Sequence, residues 1–258
     1  MRVWPDLVIL SSVLPWETLR RLLGLPADMA PPGPAELVRM AIDEPRRARL
    51  IGLVLAGHPP REAPAGIVLG ALDRGTVSRD LAVELLGAVG HGSGYATARA
   101  LLFEDPEAAP GAGVAMAQML GLRALADLHL ALRGAEEREC REGAALGLAE
   151  VGDASSAVNI AEAGCDGQIR ARVAARCVVR LESAPELWLT YLQHASMAHR
   201  RFGTEVVYVF LLADDAESHA QLDALGEPGR AATREALADP ELFMLEDKRD
   251  ALLQWSAP

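Results

Sequence analysis

At 258 residues the chain is long enough to bury a core without disulfides or metals, as one elongated domain or as two compact ones. Half of the residues are hydrophobic but only 4% are aromatic, so the apolar content comes from Ala, Leu and Val, a composition that favours closely packed helices. A formal charge of -11 argues against nucleic acid as a partner, because binding a phosphate backbone depends on basic residues displacing counterions.

The charge is uneven. From Arg201 onward twelve acidic residues face five basic ones, a net of -7. An acidic final third is expected to be a solvated face that keeps the protein soluble. Lys248 is the only lysine, an arginine bias that points to a GC-rich bacterial coding sequence. The cysteines Cys140, Cys165 and Cys177 are odd in number and show no C-x-x-C spacing, which indicates neither a disulfide framework nor a zinc site and fits a reducing, cytoplasmic setting.

In chain order, LVILSSVL (residues 7–14) is too short for a membrane span and is followed by no small-residue cleavage site, so it is expected to be a core helix. A helix over Trp16 to Leu23 follows. The segment PADMAPPGP, with Pro31, Pro32 and Pro34, is an extended connection, and a second helix begins at Ala35.

A period then sets in. AVELLGAVGH (Ala82 to His91) recurs as GVAMAQMLGL (Gly113 to Leu122) and as AALGLAEVGD (Ala144 to Asp153), at a spacing of 31 residues each time. AARCVVRLES (Ala174 to Ser183) follows one residue out of step. EVVYVFLLAD, ending at Asp214, is a looser copy, and RLIGLVLAGH, ending at His58, precedes the series. Such a period marks stacked supersecondary units.

Within the units apolar residues fall at helical spacing, as in Leu81, Leu85, Leu86 and Val89. Gly57, Gly90, Gly121 and Gly152 are expected to end helices in the left-handed conformation. Gly87, Ala144, Ala145 and Gly147 leave room for a close neighbour. Between these helices lie second ones, in IVLGALDRG, YATARALLFED, RALADLHLALRG, SSAVNIAEAG and ELWLTYLQHA, so each unit is a helical pair. The end of the chain supplies EPGRAATREALADP and ELFMLEDKRDALLQW.

Glu136 to Asp153 and Asp166 to Ser183 resemble the HEAT-repeat family, in the short bacterial form also known from phycobilin lyase-like repeats. The shared pattern is an acidic turn residue, an arginine about four residues later, paired alanines, and an apolar run closed by a Gly-Asp turn. Asp166, Arg170, Ala174 and Ala175 match it, whereas Gly113 replaces the first alanine in one unit and Val206 and Val207 replace both in another. The resemblance implies an all-α fold, a right-handed α-solenoid of about six HEAT-like helical hairpins with irregular capping ends. Residues 1–43 would form an N-terminal cap with a Pro-rich loop, 44–215 the repeats, and 216–258 a C-terminal cap.

The chemistry-bearing residues give no catalytic, cofactor or metal set. GHGSG (Gly90 to Gly94) follows a helix and lacks the lysine of a phosphate loop, so it is expected to be an inter-helix turn. His58, His91, His129, His194, His199 and His219 are scattered. Deoxyhypusine hydroxylase, a HEAT-like enzyme, holds iron through His-Glu pairs, and no His-Glu dipeptide occurs here. His194 and His199, five apart, are expected on different sides of a continuous helix. HEAT-like alkylpurine DNA glycosylases use a basic groove lined with tryptophans, but this charge is acidic, and Trp4, Trp16 and Trp255 lie in the end segments. Trp188, beside Tyr191, His194 and Arg200, fits either packing or an exposed patch. Cys165, in a turn after Gly164, is the one cysteine with a prospect of reactivity, though nothing beside it activates it.

A solenoid presents a long curved face, so the expected function is a non-catalytic scaffold or adaptor that binds another protein or peptide. Its second helices would line the concave surface. The contact residues named from that topology are Arg99, Arg123, Asp127, Asn159, Trp188, Tyr191 and His194. The alternative is a lyase-like enzyme or accessory factor acting on a protein-bound or small-molecule substrate. No membrane partner is expected, and the oligomeric state is left open.

Overall fold

A computed structural model describes residues 16–179, 184–213, 215–242 and 244–257. The expected helix LVILSSVL, Trp4, and the positions 180–183 and 214 that end two of the repeat segments lie outside them. The described residues form an all-α fold with no strand.

Among the described residues fifteen α-helices follow in order. They are α1 (Trp16–Leu22), α2 (Pro34–Asp43), α3 (Ala48–Ala56), α4 (Glu62–Asp73), α5 (Arg79–Val89), α6 (Tyr95–Glu104), α7 (Ala109–Leu120), α8 (Leu125–Gly134), α9 (Arg138–Val151), α10 (Ala154–Glu162), α11 (Gly167–Val178), α12 (Ala184–Leu192), α13 (Met197–Ala213), α14 (Ala216–Ala238) and α15 (Glu246–Ser256). Their starts are written locally. Pro34 opens α2 at the first helical position, where its missing N–H costs nothing. Ser78, Asp153, Asp166 and Asp215 each accept a backbone N–H two or three residues ahead, capping α5, α10, α11 and α14. The long α14 is two helices joined at Gly226, whose φ of 53° lies in the region glycine tolerates best, just before Pro228.

The ends expected at glycines divide into two kinds. Gly90 and Gly121 have φ of 68° and 55°, but Gly57 and Gly152 have negative φ. At Gly152 the requirement is space. A methyl group there would press on the Leu148 carbonyl, Cys177 Sγ and Ser156. GHGSG is a turn, with a 3-10 segment at Gly92–Gly94 and the His91 ring accepting the Ser93 N–H at 3.3 Å.

Packing is layered. In one layer α3, α5, α7, α9, α11, α13 and α15 each lie against the next; in the other, α2 packs on α4, α6 on α8, α8 on α10, and α12 on α14. Across the layers α4 packs on α5, α6 on α7, α8 on α9, α10 on α11 and α12 on α13. Each second helix therefore pairs most closely with the first helix of the following unit. At the end of the described chain this changes, and α14 packs more closely on the preceding α13 than on α15. Between the layers runs one apolar core from Leu37 and Val38 to Leu252.

The layers differ in spacing. From α5 to α11 the first-layer helices run together over much of their length, whereas α6, α8 and α10 meet only locally. Side-chain size accounts for this. A methyl group on Gly113 would overlap the Gly143 carbonyl, one on Gly143 the Ala109 carbonyl, and one on Gly147 the Gly113 carbonyl. A methyl group on Gly87 would sit 3.1 Å from Ala115. The backbones of α7 and α9 are thus in direct contact, and no residue with a Cβ fits at Gly113, Gly143 or Gly147.

Gly143→Ala gives the sharpest test of this contact. Helix propensity alone would stabilise it by about 1 kcal/mol, but the clash with the Ala109 backbone should cost about 3 kcal/mol, for a net loss seen as a lowered melting temperature. Gly66→Ala in α4, where a methyl group meets no described residue within 4 Å, should instead hold or raise it. Equal melting temperatures for the two variants would contradict the packing.

Candidate functional site

The contact residues expected from sequence lie mostly on α6, α8, α10 and α12 of the more open layer, where most are already engaged with the protein itself. Tyr95 and Arg99, one turn apart on α6, both reach Asp127 on α8. The Tyr95 hydroxyl donates to Asp127 Oδ2 at 2.8 Å and Arg99 Nε to Oδ1 at 3.0 Å. The Arg99 guanidinium also covers the Phe103 ring at 5.2 Å. Burial, with the Asp127 bond and charge added to it, raises the Tyr95 phenol above the ordinary tyrosine range. Burial would raise the Asp127 carboxyl too, but the Tyr95 hydroxyl and Arg99 outweigh it and hold the carboxyl below its usual range.

The next link joins α8 to α10. His129 Nε2 lies 3.1 Å from Ser156 Oγ, and the Ser156 hydroxyl donates to Asp153 Oδ1 at 3.2 Å. Serine, histidine and aspartate thus meet, yet the polarity is wrong for a nucleophile. With the serine proton on Asp153, Nε2 carries the imidazole proton and donates to Ser156, so it is no base toward that hydroxyl. The carboxylate caps α10 instead of orienting the imidazole, Nδ1 of His129 is buried without a partner, and Ser156 is fully buried. Burial and then Arg133 lower the His129 pKa, keeping the ring neutral. The set is a helix cap braced by a histidine.

The remaining expected contact residues divide. Asn159 donates its amide to the Ser155 carbonyl at 2.8 Å. Trp188 and Tyr191 are 0% and 7% exposed, which corrects their assignment to a contact patch. Trp188 lies 6.1–6.3 Å, ring centre to ring centre, from Tyr191, Phe202 and Phe210. A large aromatic is the side chain that fills the space between α12 and α13. His194 remains at the surface, its Nδ1 accepting the Ser196 N–H at 3.0 Å. Arg123 is exposed and makes no ion pair among the described residues.

His194 and His199 are not on one continuous helix. The chain breaks between α12 and α13, and the two rings stack at 4.1 Å, with Tyr191 stacked at 5.7 Å on His199. Among the described residues no three His, Cys, Asp or Glu side chains are placed to hold a metal ion. Burial pushes the Cys165 thiol up to about 11 and the Cys177 thiol up to about 12, and Cys177 donates to the Leu148 carbonyl at 3.2 Å.

One functional arrangement was partly hidden in the sequence. Arg141, Arg170 and Arg200 are each the fourth residue of α9, α11 and α13; Arg141 and Arg200 turn back onto carbonyls of the preceding loop and Arg170 onto one in the last turn of the preceding helix. Arg141 holds Ala135 and Glu136 at 2.8 and 2.7 Å, Arg170 holds Ala161 at 3.0 Å, and Arg200 holds His194 and Ala195, both at 2.9 Å. Arg200 also bonds Asp239 at 2.7 Å. The arginine of the repeat pattern is therefore a loop clamp. The sequence pattern marks Arg170 but is broken after Arg200, where the valines Val206 and Val207 replace the paired alanines.

No family model, no curated protein and no solved structure matches this chain. No described helix is long and apolar enough to cross a membrane.

Two measurements follow from these geometries. The lowered carboxyl of Asp127 contributes stability that is present above the usual carboxylate range and is lost as pH falls through it, near pH ~4 and below. Asp127→Asn should therefore melt below wild type at pH ~7 and converge with it in acid; a gap that persists or widens in acid would contradict the network. A raised thiol stays protonated and unreactive, so iodoacetamide at neutral pH should alkylate Cys165 slowly in the folded protein and readily in denaturant. Equal rates in the two states would contradict its burial.

Proposed function

We propose that the chain is a right-handed α-solenoid of about six HEAT-like hairpins that acts as a non-catalytic scaffold for another protein or peptide. The observation that supports this most is the two-layer alternation of helices, which offers a continuous side-chain face of the kind used for extended recognition. The sequence period and the clamping arginines at Arg141, Arg170 and Arg200 are consistent with one unit repeated along the chain.

The unequal spacing of the layers favours one face. Two coupled layers of different spacing bend toward the closer one, so from α5 to α11, where the spacing differs, the proposed concave face belongs to the first helices, not to the second ones. Its side chains run in helical stripes: Val114 and Gln118 on α7, Leu146 and Glu150 on α9, Arg172 and Arg176 on α11. Glu150 and Arg176 meet at 3.5 Å, so the stripes adjoin.

Affinity capture from the native host tests the proposal. Trp188→Ala and Tyr191→Ala would report only on packing, so the informative variant is Val114→Arg with Leu146→Arg. Wild type should retain a defined partner, and the double variant should lose it by about tenfold or more with unchanged circular dichroism. Full retention by the variant would overturn the face. Capture of no protein together with a small molecule in native mass spectrometry would favour the lyase-like alternative.

A further inference from the structure

The chain's negative charge has an exception. Between Pro34 and Ser78 six arginines face five carboxylates, and two of the six, Arg39 and Arg74, border a groove of about 470 Å³ between α2 and α4. Ile42 and Ile67 line it beside the bare backbone of Gly66 and Gly70. Several other arginines are paired: Arg47 with Glu44, Arg79 with Asp105, Arg99 with Asp127, Arg138 with Glu142. Among the described residues neither Arg39 nor Arg74 makes an ion pair within 4 Å. The Arg74 guanidinium folds over Gly70, where a methyl group would lie 3.3 Å from one of its nitrogens. Both cations thus stand beside an apolar floor, with Asp43 as the one carboxylate on the lining.

We infer that the groove between α2 and α4 receives an apolar polypeptide segment of a partner that carries a carboxylate between Arg39 and Arg74. The chemistry follows from the lining. Aliphatic side chains of the segment cover Ile42 and Ile67 and seat over Gly66, where no described residue lies within 4 Å of a Cβ. A carboxylate accepts guanidinium N–H groups in the planar, two-point geometry that suits arginine. Asp43, on the same lining, cancels one of the two positive charges. The net charge of one matches a single carboxylate and disfavours phosphate or nucleic acid, whose repeated charges would meet Asp43. The groove is a surface trough between two helices, which suits a segment of chain.

The inference rests on the reading that the protein binds another polypeptide, and the test separates the two. The probe is a short fluorescein-labelled peptide of leucine, alanine and glutamate, with matched versions carrying glutamine or lysine in place of glutamate. Fluorescence anisotropy with the full chain should show saturable binding of the glutamate peptide, weakened about tenfold or more for the other two. Arg39→Gln and Arg74→Gln should each reproduce that loss. Gly66→Leu should abolish binding while leaving helical circular dichroism and melting temperature at or above wild type, because the added side chain enters open space. No binding to wild type at about 1 mM, equal binding of the glutamine peptide, or displacement by inorganic phosphate at lower concentration than by unlabelled peptide would overturn the groove assignment. If Gly66→Leu retains a captured host partner that Val114→Arg with Leu146→Arg loses, the groove falls and the scaffold reading stands.

Discussion

The direct contact of the α7 and α9 backbones is the constraint on which the rest of the molecule depends. Gly113, Gly143 and Gly147 bring one helix so near the other that a single methyl group would overlap a carbonyl. Glycine inside a helix costs about 1 kcal/mol relative to alanine. Three of them at one crossing are retained because the crossing returns more in contact area than it gives up in propensity. The short distance also sets the spacing of the first layer against the second, and the proposed curvature follows from that difference.

Polar side chains do the complementary work on the opposite layer, where the helices stand further apart. Tyr95, Arg99 and Asp127 bridge α6 to α8; His129, Ser156 and Asp153 bridge α8 to α10. These links replace the apolar contact that spacing denies. They also occupy the groups that would otherwise be free to meet a partner, which is why a surface chosen for its charged and aromatic residues proves to be largely self-satisfied. At the loops, Arg141, Arg170 and Arg200 pin carbonyls that the helix ends leave without partners.

The helical class and the positions of the helices were legible because the apolar spacing and the capping residues agree with each other at most starts. The close approach at Gly147 could be anticipated from small residues in the repeat. Its counterpart Gly113 read as a departure from the pattern, because which backbone faces it is a fact of tertiary packing. The candidate site was far less legible. Trp188 and Tyr191 have the same sequence context whether they pack or protrude, and only the arrival of Phe202 and Phe210 from α13 decides it. The stacking of His194 on His199 depends on a helix break that residue spacing alone does not report. The groove at Arg39 and Arg74 joins residues thirty-five positions apart, a juxtaposition made by α2 lying on α4.

Native-state hydrogen exchange, read helix by helix, tests the central claim most directly. If the glycine-mediated contact organises the molecule, the amides of α7 and α9 exchange most slowly, and those of α6, α8 and α10 open at lower free energy. Exchange from α7 and α9 as fast as from α10 would contradict the account.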